Sequence, residues 1–140
     1  MKRSSLKSRY RNTGPPTAVV DAVYDRAQFS CELCSVGLGP MRGRDHHIHH
    51  RRARRMGGSQ LPDTNLPSNL LLFCTSCHER VEREREAGYA GGWLVHQDDV
   101  PAEMPVLIHG RRWVGLTEDG RYLDCDVPEG VTDDLHKAVG

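Results

Sequence analysis

Cysteines and histidines follow one another along this chain in an order suited to two separate metal sites. Four cysteines form two pairs with the same two-residue gap, Cys31 with Cys34 and Cys74 with Cys77. This gap lets one tight turn present both sulfurs, and four thiolates fill the tetrahedral shell of a structural zinc ion. We therefore expect one structural Zn²⁺ on these four cysteines. Cys125, far from the others, is interpreted as a tolerated small residue.

Histidines lie between the two cysteine pairs and directly after the second pair. They are His46, His47, His49, His50 and His78. The zinc site does not need them, because four thiolates already complete it. An imidazole titrates near a pH of about 6.5 and can serve as a metal ligand or as a general base. The pattern predicts a second centre, one that does chemistry.

The elements that would position these side chains can be read from the sequence pattern. Residues 46–51 alternate as a short strand does, and 53–68 are rich in Gly and Pro, which predicts a loop. Residues 70–73 form a second apolar strand. From about Ser76 to Ala87 the chain is a strong helix former that ends at Gly88. The predicted order is strand, long loop, strand, helix.

The flanking segments complete an α+β fold. We predict a helix from Thr17 to about Gln28, and later strands over 93–95, 106–108, 112–116 and 122–123, with a hairpin turn at Asp119-Gly120. Four segments follow from this pattern: a basic flexible arm (1–15), a metal-binding domain (16–90), a β-hairpin extension packed on it (91–127) and a frayed tail (128–140).

Composition limits the class of protein. The chain has 140 residues, of which 37% are hydrophobic and 6% aromatic, so one domain with a thin core is expected and a structural metal would help to hold it. No apolar run approaches the roughly 18 residues of a membrane span. The basic N-terminus lacks the apolar stretch of a secretory signal, which predicts a reducing, cytoplasmic compartment.

The net charge of zero hides an asymmetry along the chain. Residues 1–60 contain twelve Lys or Arg against four acidic residues, whereas residues 98–140 contain ten acidic residues against four basic ones. A basic half favours contact with a polyanion, because neutralising phosphates releases counterions. Together with the metal motifs, this asymmetry predicts DNA as a partner; a solvated charged face is the alternative for any single arginine.

In order and spacing these motifs resemble the HNH (His-Me finger) endonucleases. The resemblance runs from Cys31 to about Glu86 and is carried by the strings HHRRARRMGG and NLLLFCTSCHERVE. It implies a ββα-metal nuclease core with a four-cysteine zinc knuckle. The chain looks especially similar to small HNH proteins of actinobacterial phages. This implies a role in genome processing or packaging, phage terminase or packaging proteins as partners, and the host cytoplasm as location.

Spacing assigns the histidines within this resemblance. The family carries Gly-Gly seven residues after the second histidine of a pair, and Gly57 lies seven residues after His50. The resemblance therefore implies that His49 binds the catalytic ion and His50 is the general base. Neighbouring strand side chains point to opposite faces, which suits the two roles. His46 and His47 have no support from the motif and are expected to be structural or solvent-facing.

Three further residues are implied by the resemblance. Asn69 lies nine residues before His78, as in the nuclease colicins, where this amide fixes the loop and orients the base; a turn-forming role is the alternative. His78 is a metal ligand in the family. Glu82, one helical turn later, stands where the colicins have a histidine, so it either contacts the ion or pairs with a nearby arginine such as Arg85.

The implied reaction is hydrolysis of a DNA phosphodiester bond. His50 would activate water beside a divalent ion (Mg²⁺, Mn²⁺, Ni²⁺ or Zn²⁺) on His49 and His78, and a carboxylate at Glu82 would favour a hard ion. The neighbouring arginines would grip phosphates; they are Arg51, Arg52, Arg54 and Arg55. The competing hypothesis is a non-catalytic zinc-ribbon-like module that binds DNA or a protein. A zinc deaminase is disfavoured, because its His-x-Glu and Pro-Cys-x-x-Cys motifs are absent.

Overall fold

Three helices and two antiparallel sheets form the described part of the chain, residues 14–53 and 61–131 of a computed structural model. The α+β class predicted from the sequence is therefore confirmed. In chain order the elements are α1 (Thr17–Ala27), β1 (His46–His50), β2 (Leu70–Cys74), α2 (Thr75–Arg83), α3 (Arg85–Ala90), β3 (Val106–Ile108), β4 (Arg112–Leu116) and β5 (Tyr122–Asp124).

The histidine strand and the second cysteine pair are joined by direct strand pairing. β1 pairs antiparallel with β2, and the register places His46 opposite Cys74 and His50 opposite Leu70. β2 runs without a loop into α2, for which Cys74 is the residue before the first helical turn. This gives the predicted order of strand, loop, strand and helix, and α2 packs against both strands.

β2 is buried on both faces and separates two apolar clusters. Leu71 and Phe73 contact the larger cluster, which includes Trp93 and Trp113 from the C-terminal half. The alternate residues of β2 contact α1 in the smaller cluster. An uninterrupted apolar run such as Leu70 to Phe73 is what a strand with two covered faces requires.

The predicted single helix over residues 76–87, ending at Gly88, is wrong in two respects: it is two helices, and the second runs past Gly88 to Ala90. Glu84, with φ −107° and ψ 67°, separates α2 from α3, although the local sequence favours an unbroken helix. Gly88 does not end α3 but packs inside the fold, where a Cβ at this position would lie 2.7 Å from the Leu94 Cδ1 atom.

The C-terminal half forms a three-stranded sheet in the order β3-β4-β5. Asp119 and Gly120 lie in the β4–β5 turn as predicted, and Gly120 has the positive φ (89°) that such a turn favours. The predicted strand over 93–95 is wrong. This segment follows Gly92, whose φ is 78° and where a Cβ would lie 2.0 Å from the Pro105 carbonyl oxygen, so the chain bends here.

Several predictions concern residues that the structure does not describe. The basic arm up to residue 13, Arg54, Arg55, the Gly57-Gly58 pair and residues 132–140 lie outside the described ranges. Of the tail expected to fray, Val131 is described and packs against the larger apolar cluster. Among the described helices, none combines the length and apolar character needed to cross a membrane.

Candidate functional site

The four paired cysteines converge on one point. The Sγ atoms of Cys31, Cys34, Cys74 and Cys77 all lie within 4.8 Å of one another, and Cys34 and Cys74 are 3.8 Å apart. Four sulfurs at about 2.3 Å from a tetrahedral zinc ion would be separated by about 3.8 Å, so the donor set fits zinc. None of the four forms a disulfide. The cluster matches the predicted zinc knuckle.

Local backbone structure explains how each pair presents its sulfurs. The first pair lies in a tight turn, closed by a hydrogen bond from the Ser35 amide to the Cys31 carbonyl (2.8 Å) and reversed at Ser35, where φ is 68°. The second pair begins α2, where the helix dipole favours thiolates. A hydrogen bond from the Cys77 thiol lowers the pKa of Cys31 to about 5, and the same bond raises the pKa of Cys77.

A second group of potential ligands lies on the face of β1 that meets α2. One ligand atom from each of His49, His78 and Glu82 lies within 4.8 Å of the other two. These are the three residues that the sequence singled out for the second centre. His78 and Glu82 are one turn apart on α2, and His49 projects from β1 towards them, with its Nδ1 3.9 Å from the Glu82 Oε1.

His49 is fixed in the tautomer that a metal ligand needs. Its Nε2–H donates to the Trp93 carbonyl oxygen at 2.7 Å, and a carbonyl can only accept, so the lone pair is on Nδ1, facing Glu82. The ring stacks on Phe73 with centroids 4.9 Å apart. Burial lowers the pKa of His49 to about 3, which keeps the imidazole neutral at neutral pH.

The other two potential ligands, His78 and Glu82, are less buried than His49. His78 is half-buried; its pKa is lowered by burial and by the nearby His47, whereas Glu82 opposes the shift. Glu82 is exposed, and its two carboxylate oxygens have different neighbours. Oε1 faces His49, while Oε2 accepts a hydrogen bond from Arg85 at 3.1 Å. The two roles considered for Glu82, ion pairing and contact with a metal, are compatible in this geometry.

His50, the predicted base, has its ring held by an amide from the long loop. Its Nε2 lies 2.9 Å from the Oδ1 of Asn65, and donation to that oxygen leaves the basic lone pair on Nδ1. His50 and Glu82 both line one cleft of about 340 Å³, together with Arg85, Tyr89 and His96. A substrate in this cleft would reach both the predicted base and the carboxylate of the second centre.

Asn69 does not orient His50, contrary to the expectation from the sequence. Within the described residues its side chain bonds only backbone atoms: Oδ1 accepts from the Arg52 amide at 2.8 Å, and Nδ2 donates to the Arg52 and Thr64 carbonyls. Asn69 therefore ties the two ends of the loop together, which is the other part of its predicted role. The orienting amide is Asn65, which no motif spacing singled out.

Two of the four arginines expected to grip phosphates are buried. Arg51 is 0% exposed and donates to four backbone carbonyls, those of Ser68, Gly92, Pro101 and Met104. Arg52 is also buried, where it pairs with Asp63 and donates to the Asp99 carbonyl. Neither guanidinium can reach a phosphate without breaking these bonds, so the predicted DNA contacts of Arg51 and Arg52 are wrong.

The two histidines without motif support have distinct surroundings. His46 is buried, as a structural role requires, between Asp45 at its Nδ1 and the Tyr24 hydroxyl, which donates to its Nε2 at 2.6 Å. His47 lies on the face of β1 that carries His49 and stacks on His78 with centroids 4.7 Å apart. The sequence did not predict that the His47 ring stacks on His78, although the alternation of strand side chains places His47 and His49 on one face.

The volume of a cavity does not identify the candidate metal sites. One large cavity among the described residues, about 1000 Å³, lies between α3 and the C-terminal sheet, and none of the seven candidate ligands lines it. The ligand clusters are a more specific signal, because they bring together residue types that bind metals in a geometry that fits an ion.

Comparison of the chain with protein families, with curated proteins and with solved structures finds no match in any of the three. What the site can do is therefore inferred from its residues and their geometry.

Proposed function

We propose that this chain is a metal-dependent endonuclease of the HNH type that hydrolyses phosphodiester bonds of DNA. One observation carries the proposal: the ligand atoms of His49, His78 and Glu82 converge, and Glu82 lines one cleft with His50, on the strand-strand-helix unit that also supplies two of the four clustered cysteines. A purely structural zinc module needs the cysteines alone. The second cluster adds the parts of a catalytic centre.

The residues present fit a catalytic divalent ion. His49 and His78 offer neutral imidazoles and Glu82 a carboxylate, a donor set suited to Zn²⁺, Ni²⁺ or Mn²⁺, and to Mg²⁺ where water completes the shell. Such an ion supplies charge neutralisation for the phosphate and for the leaving 3′ oxygen. Because the Trp93 carbonyl fixes the His49 tautomer, no rearrangement of this ring is needed for binding.

In this proposal His50 is the residue that accepts a proton during the reaction. Its Nδ1 carries the basic lone pair when Nε2–H donates to Asn65, so this atom would take the proton from an attacking water. The products would be a 5′ phosphate and a 3′ hydroxyl. Asn65 acts as a positioning residue, since an amide oxygen holds one tautomer without trapping a proton on the ring.

In this proposal basic residues other than Arg51 and Arg52 contact the phosphates. Arg54, Arg55 and the five basic residues of the arm carry this role in the proposal, together with Arg85, which lines the cleft beside Glu82. A place in phage genome processing, with packaging proteins as partners, is proposed on the sequence resemblance alone.

The direct test is cleavage of supercoiled plasmid. Zinc-loaded protein would be incubated with added Mg²⁺, Mn²⁺, Ni²⁺ or Zn²⁺ in separate reactions, and nicked and linear products measured. His50→Ala should lower the rate by roughly 10²- to 10⁴-fold, which is the usual contribution of a positioned base, while zinc content and affinity for the added ion stay unchanged. His49→Ala should instead weaken binding of that ion.

A matched control comes from the same strand. His47→Ala removes an imidazole from the face of β1 that carries His49, and should lower the rate less than His50→Ala does. Absence of products with every ion would leave the zinc-ribbon-like binding module as the function. Full activity of His50→Ala would remove His50 from the mechanism.

A further inference from the structure

An aromatic pair, of which Phe29 is exposed and Tyr24 half-buried, lies near the His46 end of β1, at the opposite end of the strand from His50. Phe29 stacks on Tyr24 with ring centroids 5.1 Å apart and 20° between the ring planes. Tyr24 in turn meets the His46 ring edge-on, and its hydroxyl donates a hydrogen bond to the His46 Nε2. The pair of Tyr24 and Phe29, here termed the aromatic platform, is thereby anchored to β1.

Folding does not explain the choice of phenylalanine at position 29. Its φ is 55°, and Gln28 before it has φ 53°, a backbone region that disfavours bulky side chains. The side chain is 59% exposed, so little burial offsets this disadvantage. A glycine would satisfy the backbone better. What phenylalanine adds is an aromatic face presented to the surroundings of the protein.

One cationic side chain lies close to the platform, and a second lies in the same turn. Arg42 and Arg44 are exposed, and neither forms an ion pair with a described residue. Burial raises the pKa of Tyr24, and Arg42 lies close enough to counter part of that rise, whereas Asp45 adds to it. The Arg44 amide donates to the Met41 carbonyl, and the Asp45 carboxylate of the same turn is bonded to His46 and to the Met41 amide. The surface thus combines an aromatic face with two exposed cationic side chains.

We propose that the aromatic platform stacks on an unpaired base of the DNA substrate while Arg42 and Arg44 contact its phosphates. Base stacking on an aromatic ring together with basic side chains along the backbone is the general means of binding single-stranded nucleic acid, and it tolerates any base. The inference rests on the proposed nuclease function and narrows its substrate class. The substrate is DNA with unpaired nucleotides beside the cut, such as a gap, a branch or a frayed end.

The test measures binding rather than cleavage, in a His50→Ala background so that the DNA stays intact. Kd values would be determined by fluorescence anisotropy for a fully paired duplex and for the same duplex with a short gap. Phe29→Ala should weaken binding of the gapped DNA by roughly 5- to 100-fold and leave duplex binding nearly unchanged. Phe29→Trp should retain tight binding of the gapped DNA.

Two controls isolate stacking. Phe29→Leu keeps an apolar side chain without an aromatic face and should behave as Phe29→Ala does. Leu123→Ala removes an exposed apolar side chain on β5 (63% exposed) and should change neither Kd. Replacing Arg42 and Arg44 with alanine should reduce the salt dependence of binding by roughly two phosphate contacts, which tests the surface without altering the platform.

The outcomes separate this inference from the proposed function. Equal affinity of the parent and of Phe29→Ala for gapped DNA would overturn the inference while plasmid cleavage still supported the nuclease. Tight binding by Phe29→Leu would overturn it too, because it would indicate a simple apolar contact. If the parent bound neither DNA and cut no plasmid with any ion, the proposed function itself would fail.

Discussion

His49 shows how the fold prepares a single side chain that could bind a metal ion. Deep burial keeps the ring neutral, and the bond from Nε2–H to the Trp93 carbonyl directs the Nδ1 lone pair towards Glu82. A charged imidazole could not bind a cation, and the other tautomer would present a proton to it. Burial therefore serves the chemistry of this residue as well as the packing of the core.

The low pKa of His49 predicts a pH dependence of stability in protein that carries only the structural zinc. The pKa is about 3 in the folded chain, whereas an unperturbed histidine has a pKa of about 6.5. The contribution to stability is then complete above pH 6.5 and is lost as the pH falls towards 3. The free energy of unfolding should fall by up to about 1.4 kcal/mol per pH unit from this group.

Urea unfolding of the wild type and of His49→Gln between pH 5 and pH 7.5 checks this. Glutamine does not titrate and can still donate to the Trp93 carbonyl, so the variant should lose stability less steeply as the pH falls. The zinc thiolates are common to both proteins, and their own protonation cancels in the difference. Parallel curves for the two proteins would contradict the assignment.

At the scale of elements, the end of β1 is joined to the C-terminal half by one arginine. Arg51 directly follows the strand. Its side chain donates to the Ser68 carbonyl, just before β2, and to three carbonyls in the segment between α3 and β3. A guanidinium has five N–H groups in a planar fork, so it can satisfy several converging carbonyls at once. Burial lowers the pKa of Arg51 to about 9, and the group remains charged at neutral pH.

Replacing Arg51 with methionine should destabilise the fold strongly, because four carbonyls, three of them in buried contacts, would each lose a hydrogen bond. We expect a loss of at least about 3 kcal/mol in the free energy of unfolding. Arg112→Met is the matched control: its ion pair with Asp124 is exposed, and its loss should change stability by less than about 1 kcal/mol. Denaturant unfolding measures both, and similar losses in the two variants would refute the structural role of Arg51.

The four-cysteine cluster, a candidate zinc site, joins a second set of elements, since Cys31 and Cys34 come from the turn after α1 while Cys74 and Cys77 come from the junction of β2 and α2. Cys31→Ser should lose zinc and unfold the domain, because an apolar core this small depends on the metal. Zinc content and circular dichroism measure the two effects. Cys125→Ser, at an exposed position, should change neither. A folded, zinc-free Cys31→Ser protein would show that the site is dispensable for folding.

At the scale of the whole molecule, charge is divided between the two halves of the chain. Basic residues predominate before residue 60 and acidic residues after residue 98. With Arg51 and Arg52 buried, the arm carries a larger share of the expected contacts with phosphates. Its basic residues are Lys2, Arg3, Lys7, Arg9 and Arg11.

Deleting residues 1–12 should therefore make DNA binding less dependent on salt. Each lost phosphate contact reduces the slope of log K against log salt by about 0.9, so the slope should fall by up to about 4.5 if all five residues bind. Kd values at four or more salt concentrations give the slope. Arg52→Lys, at a buried ion pair, should leave it unchanged. An unaltered slope after the deletion would show that the arm does not contact DNA.

Sequence patterns were enough to predict the α+β class, the strand-loop-strand-helix unit and the two sets of potential ligands. These follow from short-range rules: a two-residue gap between cysteines defines a turn, strand alternation separates His49 from His50, and a four-residue step puts His78 and Glu82 on one helix face. Each rule acts within a few residues, so no knowledge of the tertiary fold was needed.

Tertiary structure alone decided which polar groups support those ligands. Asn65 reaches His50 from 15 residues away and the Trp93 carbonyl reaches His49 from 44, and neither distance leaves a pattern in the sequence. The same holds for Arg51, whose charge predicted a phosphate contact until its burial among carbonyls was known. A buried polar group takes its role from the partners that the fold brings to it, and long-range packing chooses those partners.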